Sequence, residues 1–159
     1  MIPSIEQRLQ ATEDRLAIID LEATYARSFD EHDGATWSSL FTDDGIYQSR
    51  PVGDEPPATF IQGAIELERY CREAPFDGIH LLHLPQLRLD GDSASARIHL
   101  QFHGSWSQDL DAPRLAMQGY YDVAYRRLEG RWRIAHRVTT AFAREQRTTL
   151  GYPRQPALH

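Results

Sequence analysis

At Ile79 the hydrophobic period of the chain changes, and that change limits the folds available to it. Before this point apolar residues recur every three or four positions; after it they alternate, as on a pleated strand. Residues Ser4 to Phe29 read as a helix with two adjoining stripes. One is Leu9, Leu16, Ile19, Ala23 and Ala26; the other is Ile18, Leu21, Tyr25 and Phe29. Two stripes predict a helix covered on more than one side, starting at Ser4 and ending near Gly34 in a left-handed cap. A helical turn is expected through Trp37, Leu40 and Phe41, a turn at Thr42 to Gly45, and a short strand at Ile46–Gln48. The Pro- and Gly-rich stretch from Arg50 to Thr59 reads as a loop. Gly63 to Glu73 forms an amphipathic helix with Ile65, Leu67 and Tyr70 inward. Strands follow at Ile79–Leu89, Ala94–Trp106, Leu115–Arg127 and Arg131–Phe142. They are joined by turns at Asp90-Gly91-Asp92, Asp109 to Pro113 and Glu129-Gly130. Helices first and antiparallel strands after them indicate an α+β fold, and 159 residues suit a single domain, 1–159.

Charge narrows the function. The net charge of −6 makes binding to a phosphate backbone improbable, so no nucleic-acid partner is expected. All 17 basic residues are Arg, which removes Schiff-base chemistry and a P-loop lysine. A single cysteine, Cys71, offers neither an internal disulfide nor a cysteine-rich zinc site. No apolar run approaches membrane-spanning length, and charges from Glu6 to Arg15 interrupt any leader-like segment, so a cytoplasmic protein without a membrane partner is expected.

Seven histidines remain to be placed. In Ala94–Trp106, Arg97, His99, Gln101 and His103 alternate with Ile98, Leu100 and Phe102, so the four polar residues share one face. That face is either solvated or a pocket wall. His80 and His83 are three apart in a strand and point to opposite sides, which disfavours a metal pair, and no metal site is expected. Tyr25 and Asp30 lie about 140° apart around an ideal helix, so they converge only if the helix is already ending at Asp30. Asp122 is an acid in a strand interior, and lines a pocket or pairs with an Arg on a neighbouring strand.

The segments Asp14 to Leu21, Tyr25-Ala26-Arg27, Asp30, Trp37 and Leu40 to Asp44 resemble the opening of SnoaL-like proteins of the nuclear transport factor 2-like superfamily. Gly78 to His83 with Leu89 to Ala94, Gly119 to Asp122, and Gly130 to Arg137 are similar to the later strands of that group. The likeness spans about 13–142 and leaves a tail, 143–159. It implies a cone-shaped barrel: a curved mixed or antiparallel sheet, wrapped by about three helices around an apolar pocket. The pattern is nearest to the cofactor-free dehydratases acting on scytalone and bile acids, and to the related dehydrochlorinase. By that resemblance Asp30 and His80 form a catalytic pair, Tyr25 is a pocket hydroxyl and His103 a second acid or donor. His99, Gln101, Tyr47, Trp37, Tyr120 and Asp122 would line the substrate pocket.

The function these readings imply is a lyase or isomerase that uses no cofactor and acts on a small hydrophobic cyclic substrate. His80 would abstract a proton, and dehydration is the favoured reaction. The competing readings are a non-catalytic ligand-binding module or small subunit of a ring-hydroxylating oxygenase, and a polyketide-type cyclase or epoxide hydrolase. An open sheet with an outer face to cover suggests a homodimer or homotrimer, and the tail from Thr148 is expected to close over the pocket or a neighbouring subunit.

Overall fold

A computed structural model describes residues 3–50, 59–106 and 114–147, with side chains through 142. Most of the 50–59 loop, the turn at 109–113 and the tail from Thr148 lie outside the described residues.

Helix α1 (Ile5–Asp30) begins at a capping box. The Gln7 backbone N–H donates to the Ser4 hydroxyl, and the Ser4 N–H donates to the Gln7 side-chain oxygen. Only one of the two apolar stripes is covered: Ile18, Leu21, Tyr25 and Phe29 are buried, whereas Leu9 and Leu16 are each 57% exposed. The sheet reaches one side of the helix, so the second stripe faces out. The helix is closed by Glu31, and the left-handed residue is His32, not Gly34. Gly34 instead opens α2 (Gly34–Ser39), where a Cβ would strike the Glu68 carbonyl of α3 (Ala64–Arg72). Close helix approach, and not cap geometry, sets that glycine. In α3, Leu67 and Cys71 are buried, while Ile65 is 82% exposed and so does not point inward as the pattern predicts.

The strands are β1 (Phe41–Arg50), β2 (Phe60–Gln62), β3 (Asp77–Leu82), β4 (Gln86–Asp90), β5 (Ser93–Ser105), β6 (Arg114–Leu128) and β7 (Arg131–Arg147). They build one seven-stranded sheet in the order β2-β1-β7-β6-β5-β3, with β4 also paired to β5. The β1–β7 pairing is parallel and the others antiparallel, so the sheet is mixed, curved and unclosed. The predicted turn at Thr42 to Gly45 is part of β1, where the register to β7 slips between Phe41 and Ile46. The predicted single strand Ile79–Leu89 divides into β3 and β4 near Pro85, which has no N–H to give a ladder.

Alternation on β5 then fixes two faces. Ala96, Ile98, Leu100 and Phe102 are buried in the core, while Arg97, His99, Gln101 and His103 are exposed on the far side. Tyr121, Val123 and Tyr125 of β6 and Ile134 and Arg137 of β7 join the covered face. Among the described residues no helix is long and apolar enough to cross a membrane.

Candidate functional site

Asp30 is the last residue of α1, and His80 sits on the inward side of β3. Asp30 still belongs to the helix, and the packing of α1 against β3 brings its carboxylate to the strand. Its carboxylate grips His80 twice. The His80 backbone N–H donates to Oδ2 at 2.9 Å, and His80 Nδ1 lies 2.6 Å from Oδ1. The two side chains are 7% and 18% exposed, so the contact is shielded from water. A proton on Nδ1 pointed at the carboxylate leaves Nε2 with a lone pair, and Nε2 has no protein partner among the described residues.

The walls around this imidazole are aromatic. Its ring centroid lies 4.7 Å from Phe102, 5.4 Å from Phe29 and 6.4 Å from Tyr25. Phe102 reaches that position because Gly78 and Gly104 face each other across β3 and β5, and a Cβ on either would overlap its ring. The glycines are thus a packing requirement of the site.

Beside Tyr25 stands a group the sequence reading missed. Arg137 is fully buried and ion-paired to Glu22, itself 3% exposed. The Tyr125 hydroxyl donates to Glu22 Oε1 at 2.7 Å. The Arg137 guanidinium lies 3.5 Å over the Tyr25 ring and 4.4 Å from that of Tyr121, both cation–π distances. Burial works against its charge most strongly of any one cause, but Glu22 together with Tyr25, Tyr125 and Tyr121 outweighs it and holds the pKa above the ordinary value. Burial also pushes the Tyr25 hydroxyl well up, with Tyr121 adding and Arg137 opposing, so Tyr25 stays a neutral donor at any working pH. Two nitrogens of Arg137, Nε and Nη1, are buried without a partner, as is the Trp37 indole nitrogen. Buried donors left unpaired carry a cost unless an acceptor meets them. The missed signal was Glu22: it falls on the Ile18-Leu21-Tyr25 face, where a lone acid needs a buried cation.

Other candidates divide cleanly. Trp37 is buried among Tyr25, Phe29, Phe41, Tyr47 and Tyr70. Tyr47 is half-buried on the same side, and its hydroxyl accepts from Thr139 at 3.1 Å. His103, His99 and Gln101 face outward, away from His80, because His80 pairs with inward-facing Phe102. None of the three can join the His80 site, which corrects the expectation for each. Tyr120 and Asp122 are also on the outer face: Asp122 is bonded to Arg97, which stacks 4.1 Å over Tyr120. A period of two tells which residues share a side but not which side is covered, and here the core lies on the other one.

The family model for the SnoaL-like domain matches residues 10–138. No curated protein matches the sequence. Among solved structures, a Mycobacterium tuberculosis protein of unknown function is 25% identical, with a TM-score of 0.70, covering 89% of this chain and 76% of that one. A hexachlorocyclohexane dehydrochlorinase superposes with a TM-score of 0.78 at 15% identity, over 95% and 99% of the two chains. A candidate beta subunit of an aromatic-ring-hydroxylating dioxygenase from Novosphingobium aromaticivorans reaches 0.68 at 22% identity, over 84% and 92%. These last two share the fold, and a further Novosphingobium aromaticivorans neighbour is described as NTF2-like with a cystatin-like fold. With a family model spanning most of its length, the chain belongs to the SnoaL-like domain family.

Proposed function

We propose that the protein is a lyase or isomerase that abstracts a proton from a small hydrophobic cyclic substrate without a cofactor, and that its reaction is a dehydration. The reading rests on one observation: the carboxylate of Asp30 engages both the ring and the backbone of His80 inside an aromatic enclosure. Held in this way, the imidazole has one tautomer and one orientation, and the imidazolium formed in the reaction is stabilised.

In the proposed step, His80 Nε2 takes a proton from the carbon next to a carbonyl. The electron pair left behind forms the new double bond as the β-hydroxyl departs. That hydroxyl leaves as water after taking the proton from the imidazolium, while the Tyr25 hydroxyl donates a hydrogen bond to it. Arg137 and Trp37 supply further donors toward oxygen atoms where negative charge develops, replacing the role the sequence assigned to His103. One structural neighbour is named a hexachlorocyclohexane dehydrochlorinase, and loss of hydrogen chloride is an elimination, which supports the class of reaction. A second reading, a non-catalytic subunit of an oxygenase, draws support from the dioxygenase beta-subunit neighbour.

The test is solvent exchange. Cyclic ketones bearing an α-proton are incubated in deuterated water with the wild type, His80→Ala and Asp30→Asn. Wild type should wash deuterium into the α-position, both variants should lose this activity, and their thermal stability should stay close to wild type. Equal exchange by all three proteins removes the catalytic assignment, and no exchange by any of them favours the subunit reading.

A further inference from the structure

The second apolar stripe of α1 has a period of its own. From Ile5, alternating steps of four and three lead through Leu9, Thr12, Leu16 and Ile19 to Ala23, the 3.5-residue spacing of a seam between paired helices. Ile5, Leu9 and Leu16 are each more than half exposed, and Ala23 is exposed as well. Thr12 is the one polar member, and its hydroxyl is already given to the Arg8 carbonyl at 2.9 Å, so covering it strands no donor. At 100° per residue the stripe is centred about 150° from the buried row of Ile18, Leu21, Tyr25 and Phe29, so it looks away from the core. It also ends short of Asp30, where the helix meets His80.

The edges of the stripe are sorted by charge. Arg8 and Arg15 run along one edge, and Glu13 and Asp20 along the other; all four are exposed. Elsewhere on α1 charges are matched within the chain: Arg27 pairs with Glu31, Asp14 with Arg127 and Glu22 with Arg137. Among the described residues, the four edge charges form no ion pair. Arg131 and Arg133 line a groove beside the acidic edge, but Arg133 donates to the Ser39 carbonyl instead. Arg8 and Glu13 are five positions apart, as are Arg15 and Asp20. That is the offset at which one edge of a helix meets the opposite edge of a parallel partner. In an antiparallel pairing arginine would face arginine and acid would face acid.

We propose that α1 is a self-association surface, and that its occupant is α1 of a second copy of this chain, lying parallel to it. The seam from Ile5 to Ala23 is buried between the two helices. Arg8 of each chain faces Glu13 of the other, and Arg15 of each faces Asp20 of the other. A two-fold axis along the helices makes every contact twice. The apolar seam supplies affinity and the charged edges supply direction. The dimer is thus assigned to the helix and not to the open outer face of the sheet, and no residue of the seam belongs to the His80 enclosure.

Sedimentation velocity of the full chain, from about 1 to about 100 µM, tests this. Wild type should form a dimer and nothing larger. Leu9→Glu and Leu16→Glu place an acid in the seam at positions exposed in the single chain. Each should weaken the dimer at least about 100-fold while the thermal midpoint holds. Arg8→Glu with Arg15→Glu should weaken it by about tenfold or more, and adding Glu13→Arg and Asp20→Arg to that chain should restore it. Should a seam variant lose thermal stability, this exchange at exposed edges decides alone. Leu9→Cys should crosslink to its equivalent under mild oxidation, since equal positions meet in the parallel pair and Cys71 is buried. A wild type that stays monomeric overturns the proposal. So does a dimer indifferent to Leu9→Glu and Leu16→Glu, as one built on the outer sheet face would be. Charge loss that the exchange does not restore, or a dimer in which Leu9→Cys fails to crosslink, overturns the parallel pairing.

Discussion

Two arginine–carboxylate pairs tie this protein together, and they differ in almost everything except their chemistry. Arg97 and Asp122 join β5 to β6 on the outer face, 47% and 38% exposed. Arg137 and Glu22 join β7 to α1 beneath the sheet, 0% and 4% exposed. Water screens the first pair, and its attraction is offset by solvation, so it contributes on the order of 0–1 kcal/mol. The second has lost its water. Its formation brings little net stability, but removing one partner strands a charge where nothing can solvate it. The difference teaches where the molecule tolerates change: the outer pair is replaceable, and the inner pair is a commitment of the whole interior.

That contrast can be broken most forcefully at the inner pair. Glu22→Gln keeps shape but leaves Arg137 uncompensated, and should cost about 3–5 kcal/mol in a urea unfolding titration. Asp30→Asn comes next. It should reduce solvent exchange of the α-proton by at least about 100-fold, equivalent to about 2.7 kcal/mol of barrier, with little loss in thermal midpoint.

A pH series sharpens the comparison further. Burial raises the Tyr25 and Tyr125 hydroxyls and pushes the Cys71 thiol up to about 12, with Asp33 and Asp30 adding to the latter. The folded chain therefore keeps protons that the unfolded chain releases above about pH 8.5 for a thiol and about 10 for tyrosine. Fewer protons on the unfolded state mean that stability falls as pH rises. The fall should begin near pH 9 and steepen above 10, each group adding about 1.4 kcal/mol per pH unit, as read by denaturation midpoints. Arg97→Ala is the smallest change: a stability loss within about 1 kcal/mol and a thermal midpoint close to wild type.

Much of this architecture was legible in the chain. The switch of period at Ile79 separates helices from sheet, and the turns at Gly91 and Gly130 stand where the strands reverse. The Asp30–His80 contact followed from the family resemblance; helix geometry had left open only whether Asp30 converges with Tyr25. What could not be read was which face of β5 is covered. Alternation is symmetric between the two sides, so His99, Gln101 and His103 were assigned to a pocket that lies behind them. Leu9, Leu16 and Ile65 misled for a related reason: an apolar residue on a helix does not by itself bring a neighbour to cover it. Glu22 and Arg137 escaped notice because they are 115 positions apart, and only the parallel entry of β1 beside β7 and the packing of α1 beneath them make them partners.

The central claim is that Asp30 fixes His80 with its proton on Nδ1 and its lone pair on Nε2. Nitrogen-15 correlation spectra of the imidazole, recorded for wild type and Asp30→Asn above neutral pH, measure this directly. The account predicts an Nδ1-protonated His80 in wild type and loss of that fixed tautomer in the variant. An Nε2-protonated ring in wild type, or identical spectra for the two proteins, would contradict it.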